Sequence, residues 1–209
     1  LIIKPRKHHL LLKNKITWNR LCSSLDVISD TVYSLEAYKN EKLHENKRLY
    51  YIYIYGALQA LFLQQDAIHN IALALDIPYE LNDNLKEIRE IRNDSVGHPV
   101  REWKGKVNKL NYIQRFGMGA KKFKLISFYP DKTSPTFRMI KICELIEDQN
   151  IIINDVLKEF IEAMKNEEEK HKKEFKDTKL INIFNDNLSY YLQKIYFKAR
   201  PGETFKPPH

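Results

Sequence analysis

Arg92 and His98 are the residues whose types and spacing best suit chemistry on a phosphate. They bound the run Arg92-Asn93-Asp94-Ser95-Val96-Gly97-His98, which stops at Pro99. Arginine carries a permanent charge on a rigid fork of N–H donors that matches phosphate oxygens. Histidine exchanges a proton near neutral pH. One side chain to hold a phosphate and one to move a proton could cut a phosphodiester without a metal.

Whether the pair can meet depends on the element that carries it. Asn82 or Asp83 can cap a short helix through Leu85, Ile88 and Ile91 that ends near Val96. On an unbroken helix, six positions turn the chain by about 600°, some 240° past a whole turn, so the two side chains diverge. Gly97 is expected to take the left-handed conformation that ends helices, and Pro99 prevents continuation. His98 then leaves the axis and can fold back toward Arg92. The plainer alternative is an ordinary helix stop with Arg92 in solvent.

The surrounding chain reads as mainly helical. Residues 1–16 form a basic arm with Lys4, Arg6, Lys7, Lys13 and Lys15. Leu21, Leu25, Ile28, Val32 and Leu35 recur every three or four positions and predict a helix over 17–42 with one buried stripe. A second helix over 47–77 is apolar nearly all round, as a central helix should be, and Pro78 stops it. Tyr51, Tyr55, Gln59, Asp66 and His69 lay a polar stripe along it. A lone buried Asp66 needs a partner, and Arg92 or His98 would serve. The alternative is a structural hydrogen-bond network or a dimer seam.

Residues 110–116, 123–129 and 136–142 alternate as strands, with turns at 117–119 and 130–135. They predict a small antiparallel insert, about 108–142, between the third and fourth long helices. A helix over 143–176 follows, with Ile146, Gln149, Ile153, Val156, Phe160 and Met164 on one face; its charged end is a solvated extension or a coiled-coil arm. A last helix over 180–197 and a loose tail over 201–209 complete the chain. The whole is read as one helical domain over 17–200.

Composition narrows the class. The chain has 209 residues, 43% apolar and 30% charged, with 6 Gly and 8 Pro, which suits a helix-rich protein with a real core. A net charge of +8 favours polyanionic partners. Cys22 and Cys143, both on predicted helices, read as reduced thiols in a cytoplasmic protein; two cysteines without a histidine cluster make no zinc site. No metal and no cofactor is expected. Lys4, Arg6 and Lys7 interrupt any secretory run at the start. The stretch 50–75 is long enough to span a bilayer, but it carries Gln59, Gln64, Gln65, Asp66, His69 and Asn70 and reads as a core helix.

Arg92, Asn93 beside it, and His98 after five intervening residues, at the end of a short helix that follows a long apolar one, together resemble the HEPN superfamily. Its signature is Arg, four to six residues, then His. The likeness covers roughly 17–98 and the later helices, not the strand insert. It implies a HEPN-like bundle, a homodimer lining one cleft with two Arg–His pairs, and metal-independent RNA cleavage in a toxin or antiviral-defence setting with an antitoxin or defence-system partner. In that mechanism the RNA's own 2′-hydroxyl attacks, His98 is the acid–base, Arg92 stabilises the phosphorane, and Asn93 positions His98 or a phosphate oxygen. One departure matters: some HEPN toxins have Tyr two residues after the His, and here Val100 stands there.

Downstream, Arg101, Lys104, Lys106, Lys109, Arg115, Lys121, Lys122 and Lys124 set eight positive charges against the single acid Glu102. Trp103, Tyr112 and Phe116 are interleaved, which suits phosphate contacts with base stacking; a solvated hairpin with inward aromatics is the alternative. Two further functional classes stay open: a non-catalytic HEPN-like dimerisation or nucleotide-binding module, and a regulator that holds RNA or DNA through the basic hairpin.

Overall fold

Helix α1, Lys15–Asn40, buries Leu21, Ser24, Thr31, Leu35 and Tyr38. Of the stripe expected from the sequence, Leu21 and Leu35 are buried and Leu25 and Ile28 partly so, while Val32 is 37% exposed and Thr31 takes its place inside. Thr31 tolerates burial because its hydroxyl donates to the Val27 carbonyl at 2.7 Å, and Ser24 does the same to Arg20 at 2.8 Å. The computed structural model describes residues 15–97, 99–103, 106–174 and 176, with the side chains of 101–103, 106, 107 and 171 left out. The basic arm before Lys15, the helix over 180–197 and the tail over 201–209 therefore lie outside the described residues.

Helix α2, Lys47–Leu75, is central. The Asn46 side chain caps it by accepting from the Arg48 N–H, and Asp76 ends it in the left-handed region at φ 58°. It buries Ile54, Leu58, Leu61, Gln64, Gln65, Ile68 and Ile71. No helix among the described residues is long and apolar enough to cross a membrane.

Helix α3, Asp83–Arg92, starts at Asn82, whose side chain accepts from the Asn84 N–H, and buries Leu85, Ile88 and Ile91. It does not simply stop. A π-helical turn, Asn93–Gly97, continues it and buries Asp94 and Ser95.

Four antiparallel strands follow in the order β1-β2-β3-β4: β1 Val100–Trp103, β2 Lys106–Gly119, β3 Lys122–Phe128 and β4 Thr136–Lys141. The sheet is one strand larger than the pattern predicted, and β2 runs on through Gly117–Gly119, where a turn was expected. The reversal comes at Ala120–Lys121. One sheet face carries Phe123, Leu125 and Ile140 into a core shared with Leu35, Tyr38, Ile54, Leu58, Leu85 and Ile91. The other leaves Tyr112, Phe137 and Met139 about half exposed or more.

Helix α4, Ile142–Glu174, buries Ile142, Ile146, Gln149, Ile153 and Phe160. The chain divides into two compact units after Ile161. In the second, the described residues form the charged helical end, where Lys165, Lys170 and Lys172 pair with glutamates three residues back. The first unit is thus mostly helical with a small antiparallel sheet, as the sequence implied.

A buried amide chain ties the helices together. Gln149 of α4 donates to Gln64 at 2.9 Å and to the Leu61 carbonyl at 2.9 Å. Gln65 donates to Gln149 at 2.8 Å and to the Leu85 carbonyl at 3.1 Å. All three glutamines are at most 1% exposed, so each lost bond leaves an amide unsatisfied in the core.

Candidate functional site

Arg92 is the last residue of α3, half-buried against α2. Its Nε and Nη2 donate to Gln59 Oε1 at 3.2 and 2.8 Å, and Nη1 donates to Asn93 Oδ1 at 3.0 Å. Its Cζ lies 4.4 Å from the centre of the Phe62 ring. These contacts fix the plane of the guanidinium. They also leave its charge intact, because all three acceptor contacts are to neutral amide oxygens.

One turn back on α3, Arg89 also lies over Phe62, at 4.2 Å. It donates to Asp66 at 2.7 Å and to Gln65 Oε1 at 3.1 Å, and so joins the buried amide chain. Asp66 therefore has Arg89 as its partner, where the sequence pointed to Arg92 or His98. The polar stripe of α2 acts as a rail for the two arginines: Gln59 takes Arg92, Asp66 takes Arg89, and Phe62 lies under both. Arg89 and Phe62 went unremarked in the sequence; the signal was an Arg pair at three-residue spacing facing an aromatic inside a polar stripe.

Gly97 matters for a different reason from the one its position suggested. It does not take the left-handed conformation; among the described glycines, Gly117 does, at φ 76°. Instead the Arg92 guanidinium lies where a side chain at 97 would begin. A Cβ there would sit 3.2 Å from Arg92 Cζ and 3.4 Å from Asn93 Oδ1, with Nη1 nearer still. The π-helical turn brings the backbone of 97 under the arginine, and only glycine leaves room for it. His98 itself lies outside the described residues.

Asp94 anchors this turn to the sheet. It is buried and accepts from the Lys109 ammonium and, at 3.3 Å, from Asn111 Nδ2. Asn111 also donates to the Pro99 carbonyl at 3.2 Å and accepts from Ser127 Oγ at 2.6 Å.

The basic residues expected to hold RNA divide. Lys109 turns inward to Asp94 and is 17% exposed. Lys121 donates to the Lys39 carbonyl at 2.6 Å, closing the end of α1. Lys124 lies 5.9 Å from the Phe137 ring centre. Arg115 and Lys122 are exposed. Arg101 and Lys106 contribute described backbone in β1 and β2, while their side chains and Lys104 lie outside the described residues. Of the aromatics, Phe116 is 87% exposed, and Tyr112 is 49% exposed and stacks on Phe128 at 5.8 Å.

Cys22 and Cys143 are free thiols, both half-buried. Among the described residues, no three His, Cys, Asp or Glu side chains come together as metal ligands. No family model matches the chain, and neither the curated proteins nor the solved structures contain a match to it.

Proposed function

We propose that this chain is a HEPN-like, metal-independent endoribonuclease that works as a homodimer in the cytoplasm, in a toxin or antiviral-defence setting with an antitoxin or defence-system partner. The setting and the partners rest on the resemblance of Arg92-Asn93 and His98 to the HEPN signature, and the location on the reading of Cys22 and Cys143 as reduced thiols. One structural observation carries the chemistry: Arg92 is oriented by neutral amides rather than by a carboxylate. Its bonds to Gln59 and Asn93 use three of the five N–H groups of a guanidinium. The charge and the remaining donors stay available for a phosphate oxygen, in a pose set before substrate arrives.

In the proposed reaction, a 2′-hydroxyl of the RNA attacks the adjacent phosphorus. Its proton passes to one His98, the P–O5′ bond breaks, and the departing 5′-oxygen takes a proton from the partner protomer's copy. The products are a 2′,3′-cyclic phosphate and a 5′-hydroxyl. Arg92 stabilises the extra negative charge as the phosphorane forms. Asn93, bonded to Arg92, acts by holding the guanidinium plane. DNA lacks the attacking hydroxyl and is inert to this route.

The test is a single-stranded RNA oligonucleotide incubated with the protein in EDTA, beside a copy with one 2′-deoxy position. Cyclic phosphate ends, absent at the deoxy position, support the proposal; no cutting, or equal cutting at that position, refutes it. A second reading is favoured by the same contacts: an arginine tied on three sides can grip a nucleotide without cutting. Binding without any cleavage product selects that reading.

A further inference from the structure

A groove of about 640 Å³ opens where β2 runs past the end of β1. The last pairing of β1 is Val100 with Leu110, and the Asn111 N–H then donates to the Pro99 carbonyl at 2.7 Å. Beyond Asn111, no strand among the described residues pairs with this edge of β2. Tyr51 and Tyr55 of α2 and Ser95 of the π-helical turn form one wall; Gln114, Arg115 and Phe116 are on the strand side. The volume is that of a small-ligand site.

Among the described residues, two polar atoms of this lining are buried without a partner. Ser95 is 7% exposed and its Oγ has none; Gln114 Oε1 has none. Such atoms weaken a fold unless something bonds to them. The sheet register breaks at the same place. Gln114 pairs with Lys124 and Gly119 with Lys122, so residues 115–118 bulge out opposite Phe123. Gly117, at φ 76°, permits the bulge, which carries Arg115 and the exposed Phe116 to the mouth of the groove. The Tyr51 and Tyr55 rings meet edge to face at 5.9 Å. Burial, and then Tyr51, raise the Tyr55 phenol pKa above its ordinary value.

Aromatic walls select a flat ring. Gln114 Oε1 needs an N–H donor, Ser95 Oγ can donate to a ring nitrogen or carbonyl, and Arg115 suits an attached phosphate. We propose that this groove binds an unpaired nucleobase by its Watson–Crick edge, with its phosphate on Arg115. The base comes from a single strand or from a free nucleotide. A duplex is excluded because pairing occupies the same edge. In its strand form the inference rests on the RNA reading above, and it supplies that reading with substrate selection at a neighbouring site.

The test is binding, read separately from cleavage. Calorimetry with AMP, CMP, ribose 5-phosphate, hexa-adenylate and an RNA duplex is run on the wild type and on Ser95→Ala, Gln114→Leu and Phe116→Ala. Phe116 is solvent-exposed, so Phe116→Ala keeps the test open if the other two variants misfold. The nucleotides should bind, and each variant should weaken them about tenfold. Hexa-adenylate binding much tighter than AMP, with the same losses, assigns the site to a strand; equal affinity assigns it to free nucleotides. Ribose 5-phosphate or duplex binding as well as AMP overturns the proposal, as does wild-type affinity in all three variants. Nucleotide binding without cleavage sinks the nuclease reading alone. Cleavage unchanged in the variants, with no nucleotide bound, sinks this one alone.

Discussion

Replacing Gly97 with alanine should separate the fold from the chemistry. The new Cβ would lie 3.2 Å from Arg92 Cζ and closer still to Nη1, so the guanidinium must move. It then loses its bonds to Gln59 at 3.2 and 2.8 Å and to Asn93 at 3.0 Å. Net hydrogen bonds are worth about 0.5–1.5 kcal/mol each, and at a half-exposed site water replaces much of that. The backbone at 97 is not left-handed, so alanine there returns about 0.4–1 kcal/mol by restricting the unfolded chain. A net loss of about 1–2 kcal/mol follows, which lowers Tm by about 3–6 °C for a chain of this size. Activity should suffer far more: misplacing a donor aimed at the developing charge costs about 10²-fold or more in kcat. The assay is a thermal melt beside RNA cleavage rates for wild type, Gly97→Ala and Arg92→Ala. Cleavage near the wild-type rate in Gly97→Ala would show that the pose of Arg92 is irrelevant. A fall in Tm beyond about 10 °C would show that the clash lands on the backbone instead.

Other changes probe the same account. Gln59→Glu puts a carboxylate against Arg92; RNA cleavage should fall at least about tenfold with Tm unchanged or higher, and full activity would contradict the role given to neutral acceptors. Lys109→Met removes the ammonium that faces the buried Asp94 carboxylate and should cost about 3–5 kcal/mol in urea unfolding, while the double variant with Asp94→Asn should recover much of it; additive losses would contradict the pairing. Gln149→Leu takes the donor from buried Gln64 Oε1 and one acceptor from Gln65 Nε2 and should cost about 1–3 kcal/mol by the same measurement; a neutral result would show that the amide chain holds nothing. Burial raises the phenol pKa of Tyr38, Tyr55 and Tyr79, with Arg89 opposing the shift at Tyr79. Folded values above the unfolded ones mean that stability is complete below about pH 10 and falls as pH rises through the raised values. Ultraviolet titration of the 12 tyrosines should therefore show a lagging fraction, and one ordinary midpoint for all would contradict it.

The helices were legible because their patterns are local. Leu85, Ile88 and Ile91 mark α3, and Asn82 its cap, whatever the rest of the chain does. The sheet was read short because its first strand and the start of β2 look polar. Lys109 and Asn111 sit inside because Asp94, distant in sequence, satisfies them, and alternation cannot reveal a tertiary partner. The same limit applies at the site. Arg92 and Asn93 were found by type and spacing, and Asn93 does contact Arg92. That Gln59 would hold Arg92 while Asp66 went to Arg89 depends on how α3 sits along α2. Gly97 was expected to be a left-handed cap, as a glycine near a helix end suggests, yet its backbone is not left-handed and its missing side chain is what makes room for Arg92.

The most direct test is cleavage of one RNA in EDTA by the wild type, Arg92→Ala and His98→Ala, with product ends identified by mass spectrometry. The account predicts 2′,3′-cyclic phosphate ends from the wild type and almost none from either variant, with every protein still folded at the assay temperature. Equal cutting by the wild type and His98→Ala, or no cutting by the wild type, would contradict it.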